Sequence, residues 1–170
     1  MNLHFQDELP NAFSDDSRVW IYQSNRAFTL TETLQLEELL EQFVKTWNSH
    51  GAKVKGFANL FFGQFIILMA DETGTGVSGC STDSSVRLIK NIEADFKVDL
   101  FNRQMLAFIV HERIQLLPLS KLNNAMSDGI INVDSLFFDN LVQTKEQLSG
   151  KWIIPANESW LNKKLLLAKD

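Results

Sequence analysis

From Phe65 to Ala70 the chain reads F-I-I-L-M-A without a polar interruption, and two acids, Asp71 and Glu72, follow at once. A short run rich in β-branched and aromatic side chains reads as a strand, and one with no polar face has to be covered on both sides. The chain has the material to cover it: 45% of its 170 residues are hydrophobic, and 13 are Phe. A chain of this length buries roughly 70% of its extended surface on folding and needs no metal or disulfide to hold together. One domain is the default.

The neighbouring segments suggest what does the covering. Val19 to Gln23 is β-branched and aromatic. Thr29 followed by Glu32 fits a capping box, and Leu36, Leu39, Leu40, Phe43, Val44 and Trp47 recur at helical spacing up to Gly51. Lys53 to Phe62 and Gln64 to Ala70 read as a hairpin around Gly63. Val86, Ile89, Ile92 and Phe96 mark a second helix, and Met105 to Leu116 a further strand that closes at Pro118. The resulting order, β-α-β-β-α-β, predicts an α+β ferredoxin-like fold with two helices on one face of a four-stranded antiparallel sheet.

On this reading residues 1–17, acidic around Pro10, form a mobile leader, and residues 18–170 form one domain with a core at 18–118 and a C-terminal extension at 119–170. The extension carries a short helix near Ser120 to Asp128, a strand at Leu136 to Val142, a T-x-x-Q cap at Thr144 to Gln147, and a last helix after Asn157. Its aromatics, Trp152 and Trp160, with the run Leu165 to Leu167, either cover the sheet or form a surface for a second copy or another protein.

A formal charge of −5 with scattered Lys and Arg argues against nucleic acid and against an anionic membrane surface as partners. The acidic start and the shortness of the longest apolar run give no secretory signal or membrane span, which places the chain in the cytoplasm. The single cysteine, Cys80, excludes an internal disulfide, and with three dispersed histidines no metal site or other cofactor is implied.

Chemically capable residues crowd into the loop from Asp71 to Ser85. Gly74 to Ser81 spells G-T-G-V-S-G-C-S, which fits the phosphate-binding pattern G-x-x-x-x-G-K-[ST] except where Cys80 replaces the lysine. That lysine supplies the charge met by the β and γ phosphates, so its loss removes the basis for ATP hydrolysis. Val77 to Ser81 also echoes the L-S-G-G-Q signature of ABC ATPases.

Together with Trp20-Ile21-Tyr22-Gln23-Ser24 and Arg26, Trp47-Asn48-Ser49-His50-Gly51, Asp71-Glu72, Ser78-Gly79-Cys80-Ser81 with Asp83-Ser84, and Phe138-Asp139-Asn140-Leu141-Val142, these residues give a resemblance. The chain resembles, over nearly its whole length, a group of short uncharacterised bacterial proteins often labelled ABC transporter ATPase. The resemblance implies a common fold and carries no established activity. The order of the motifs speaks against that label, because the acids precede the glycine loop and both glycine patterns fall on one segment.

Two site readings follow. In the first, the loop and the start of the second helix form an anion site for a small ligand or peptide, using Ser78, Gly79, Ser81, Asp83 and Ser84, with Arg18 and Arg113 at the same sheet edge. In the second, Cys80 is the nucleophile of a thiol-dependent enzyme, His50 its base, and Asp71 and Glu72 the nearby acids. Ferredoxin-like topology would gather His50, Asp71 and Cys80 at one edge and leave Arg26 and Arg103 at the other. A purely structural reading makes Ser81 or Asp83 a helix cap and the loop a turn.

Overall fold

The computed structural model describes residues 1–74, 76 and 79–166, and of Cys80, Ser81 and Leu166 the backbone alone. Strand β1 (Arg18–Gln23) leads into helix α1 (Leu30–Thr46), then the two-residue strands β2 (Asn48–Ser49) and β3 (Ala52–Lys53), the hairpin β4 (Lys55–Phe61) and β5 (Phe65–Asp71), and helix α2 (Gly79–Phe96). After these come β6 (Met105–Val110), β7 (Arg113–Pro118), α3 (Leu122–Ser127), β8 (Leu136–Phe138), α4 (Lys145–Lys151), β9 (Ile153–Pro155) and α5 (Asn162–Leu166).

Three strands form one antiparallel sheet in the order β1-β5-β4, and four form another in the order β7-β6-β8-β9. The class is α+β, but the predicted four-stranded ferredoxin-like sheet does not form. Its first three strands stand in the expected order, whereas β6 pairs with β7 and β8 instead of with β1. The segment from Met105 to Leu116 is also two strands rather than one, because the chain reverses at His111 and Glu112.

Side-chain alternation on the first sheet assigns its two faces. Tyr22, Leu60, Ile66 and Leu68 meet Leu36 and Leu40 of α1 and Ile89, Ile92 and Phe96 of α2. Val19, Phe61, Phe65, Ile67 and Met69 point the other way, towards Ala107 and Phe138 of the second sheet. The far side of that second sheet, through Leu106, Phe108, Leu117 and Phe137, is covered by Leu122 and Ala125 of α3 and Leu165 of α5. The layers therefore run helix, sheet, sheet, helix, and every residue of β5 is buried, as its apolar run requires.

Helix boundaries follow local chemistry. Thr29 and Glu32 close the capping box of α1, and the Thr144 hydroxyl accepts from the Gln147 N–H at the start of α4. Helix α1 ends at Thr46 instead of running to Gly51, and His50 and Gly51 make the turn between β2 and β3 with φ of 50° and 81°. Helix α2 opens at Gly79, so Cys80 lies within its first turn and Asp83 is an exposed residue inside the helix rather than its cap.

Residues 1–17 are tied down. Phe5 and Leu9 are buried between the sheets, and the Phe5 ring meets Trp152 edge-on at 4.9 Å. Lys55 Nζ donates to the Ala12 carbonyl at 2.6 Å and Lys145 Nζ to that of Phe13 at 2.8 Å. Acids and Pro10 gave this segment the look of a free leader, but three apolar side chains spaced four apart, Phe5, Leu9 and Phe13, fill space the two sheets leave open.

Candidate functional site

Asp71 ends β5 with its side chain buried. One carboxylate oxygen accepts from Lys55 Nζ at 2.6 Å and from the Ser14 N–H at 3.3 Å, the other from the Thr73 hydroxyl at 2.7 Å and the Thr73 N–H at 3.1 Å. Lys55 first, and then Thr73, hold the acid far below the usual carboxylate range. Its lone pairs are occupied, so it is a structural anchor of the leader and the loop rather than a base.

Glu72 is partly exposed with a carboxylate oxygen 3.9 Å from Arg18, whose guanidinium also lies over the Trp20 ring at 5.2 Å. The Ser49 hydroxyl, next to His50, donates to the Gly76 carbonyl at 2.9 Å. One end of the first sheet thus gathers Arg18, Asp71, Glu72 and the turn carrying His50. Arg113 is not among them, since it belongs to β7 in the second sheet.

His50 is exposed in its turn. Ser78 and the side chains of Cys80 and Ser81 lie outside the described residues, while Ser84 sits part-buried within α2. Among the described residues no three His, Cys, Asp or Glu side chains are grouped to hold a metal ion, and no helix is long and apolar enough to cross a membrane.

A different place has the form of a binding site. Where β1 passes the loop before β6 and the loop after β8, two adjoining lobes of about 90 Å³ and 140 Å³ share Ile21, Tyr22, Arg103, Asn140 and Leu141 in their walls. Eight large hydrophobic side chains are exposed among the described residues, and three of them, Phe101, Leu141 and Trp160, line this cleft. Apolar groups gathered at the mouth of a cleft mark a contact surface more strongly than the same groups scattered.

The rim is held from beneath. Asp99 accepts from the Phe101 and Asn102 N–H groups at 3.2 and 3.1 Å, and the Phe101 ring stands edge-on to Tyr22 at 5.6 Å. Asp139 accepts from the Leu141 N–H at 3.1 Å and from the Trp160 indole, so a single carboxylate holds the Leu141 backbone and the Trp160 ring at the rim. Burial pushes this acid up, and those hydrogen bonds pull it partly back.

At the floor, Gln23 Nε2 donates to the Met105 carbonyl at 3.0 Å, Asn140 Nδ2 donates to Gln23 Oε1 at 2.8 Å, and Trp152 Nε1 donates to Asn140 Oδ1 at 3.0 Å. An indole only donates and a carbonyl only accepts, so both amides are locked in orientation. Compared with models of protein families, with curated proteins and with solved structures, the chain matches none.

The functional case therefore rests on the chemistry of the cleft. Arg103 is its positive group. Among the described residues it makes no salt bridge, and its charge reaches Tyr22, where burial raises the phenol and Arg103 partly lowers it. Sequence reasoning placed Arg103 away from any site, and no motif marks Phe101, Leu141 or Trp160 as partners. One signal was on hand: the segments W-I-Y-Q-S and F-D-N-L-V, singled out for another reason, both contribute to the cleft.

Proposed function

We propose that the chain is a binding module for a small organic anion, which lies in the cleft between the sheets with its apolar part against Phe101, Leu141 and Trp160 and its charge on Arg103. The observation that carries this reading is the meeting of three exposed hydrophobic side chains and an arginine that has no salt-bridge partner among the described residues on one cleft with a locked amide floor. Small-molecule sites have this composition: apolar walls with a few placed polar groups. A guanidinium presents paired donors to a carboxylate. The adjoining lobes of about 90 and 140 Å³ together leave room for a ring-sized group, since a dry cavity of about 150 Å³ accepts benzene.

This reading keeps the ligand class that the sequence suggests and moves its place. At the loop from Asp71 to Ser85, the first two residues are acids, which repel an anion, and the Asp71 oxygens are taken by Lys55 and Thr73. The same engagement leaves a Cys80 and His50 pair without a free acid at Asp71 to orient it.

Thermal unfolding with 3-phenylpropanoate, set against the neutral 3-phenylpropanol, tests the proposal. At ten times its dissociation constant the acid should raise Tm by about 4 °C, the alcohol by less, and Arg103→Met should abolish the difference. Equal shifts with acid and alcohol would sink the assignment of Arg103. A shift with inorganic phosphate and none with the organic acid would return the site to the α2 loop.

A further inference from the structure

The outer edge of β1 opens into this cleft. The Val19 N–H donates to the Gln143 carbonyl at 2.9 Å and the Lys145 N–H to the Ser17 carbonyl at 2.9 Å, whereas the Ser24 N–H turns the other way, to the Gln64 carbonyl at 2.9 Å. Successive residues of a strand aim their N–H and C=O groups at opposite neighbours. Residues 17, 19, 21 and 23 therefore face away from β5, and Ile21 is the one in the middle of the cleft wall.

Among the described residues neither the N–H nor the C=O of Ile21 has a hydrogen-bond partner. The opening is closed at both ends, by the bridge between Arg18 and Thr144 at one and by the Gln23 side chain on the Met105 carbonyl at the other. Between Val19 and Gln23 a strand advances about 13 Å. That is too short for a running strand with its flanks and long enough for one residue with its acyl group and its carboxylate.

We infer that the ligand of this cleft is an N-acylated amino acid with a free carboxylate and a ring-sized side chain, either free or as the last residue of a peptide, whose amide pairs with Ile21. The inference rests on the proposed function above and specifies its ligand. The ligand's amide N–H donates to the Ile21 carbonyl and one carboxylate oxygen accepts from the Ile21 N–H, the two-bond exchange that a residue of an added antiparallel strand makes at a sheet edge. The carboxylate lies within reach of Arg103, and the side chain enters the smaller lobe beside Phe101 and Trp160. A simple acid has no donor and would leave the Ile21 carbonyl to water, so the amide N–H is what discriminates.

The test titrates four probes against tryptophan fluorescence and the ¹⁵N amide signal of Ile21: N-acetyl-L-phenylalanine, its C-terminal amide, 3-phenylpropanoate, and a glycine-rich pentapeptide ending in phenylalanine. N-acetyl-L-phenylalanine should bind at least tenfold more tightly than its amide or 3-phenylpropanoate and should move the Ile21 signal. Arg103→Met should bring its affinity down to that of the amide. Tighter binding of the pentapeptide would identify a polypeptide C-terminus as the source, and weaker binding a free N-acyl amino acid, each supporting the shared chemistry. Equal affinity for 3-phenylpropanoate, or an unmoved Ile21 signal, would overturn the inference while leaving an organic-anion site in place. Binding of none of the acids would remove both.

Discussion

Asp71 shows how one side chain can join three segments that are far apart in sequence. Its carboxylate, itself buried, holds Lys55 of β4, Thr73 of the loop and Ser14 of the N-terminal segment. Because these partners hold its folded-state value below the ordinary 3.8, the stability it contributes is fully present above about pH 4 and is lost as pH falls. Glu32 acts in the same sense. The Arg26 guanidinium, bonded through two nitrogens at 2.8 Å each, holds it at about 2 against an ordinary 4.5, so its contribution fades between those values. Asp71→Asn should cost about 2 kcal/mol at neutral pH, less than a fully buried ion pair because Lys55 is half exposed. The gap between the variant and the parent in urea unfolding should narrow steadily below about pH 4. A gap independent of pH would mean that the charge of Asp71 is not what anchors the segment.

At the scale of elements, the hairpins account for what the sequence concealed. The two-residue turns His50-Gly51 and His111-Glu112, and Phe62-Gly63 within the three-residue link from β4 to β5, carry positive φ at both positions, the geometry that matches strand twist. Gly63 announced the β4–β5 turn. His111 and Glu112, with φ of 48° and 59°, are nearly silent, because Glu does not favour the left-handed region and a lone His, though commoner there than most residues, does not mark a turn as Asn-Gly or Asp-Gly does. That silence is why Met105 to Leu116 reads as one strand and why the second sheet, on which the cleft depends, does not follow from the pattern. Capping boxes and helix stripes were legible, since their signals are local in sequence. The cleft was not, since β1, the loop after β8 and the segment before β6 meet only once the two sheets stack. Replacing His111-Glu112 by Asn-Gly should relieve the two strained positions and raise stability by about 1–2 kcal/mol. Chemical denaturation measures it, and an unchanged or lowered midpoint would show that the native turn side chains hold contacts worth as much as the strain.

Across the whole molecule, the two sheets share an apolar interface, with Phe65 stacked on Phe138 at 4.5 Å, and polar connections at both ends of the cleft: the backbone bonds of Val19 and Ser17 to Gln143 and Lys145, and the chain of amides from the Met105 carbonyl through Gln23 and Asn140 to Trp152. Apolar packing tolerates sliding better than directed hydrogen bonds do, so the amide chain fixes the register between the sheets at its end of the cleft. Asn140→Leu strands two groups at once, the Gln23 carbonyl oxygen and the Trp152 N–H, of which Trp152 is wholly buried. Leaving them unpaired should cost about 2–4 kcal/mol. Gln23→Leu alone strands the Met105 carbonyl and frees one Asn140 hydrogen, and the double variant loses the Gln23–Asn140 bond only once. Urea unfolding of the four proteins should therefore show the double variant less destabilised than the sum of the singles, by about 1 kcal/mol. Strict additivity would mean that each sheet holds its own side of the contact. The cleft would then owe its shape to the Asp99 and Asp139 loops, and the search for what positions a ligand would move from the floor to the rim.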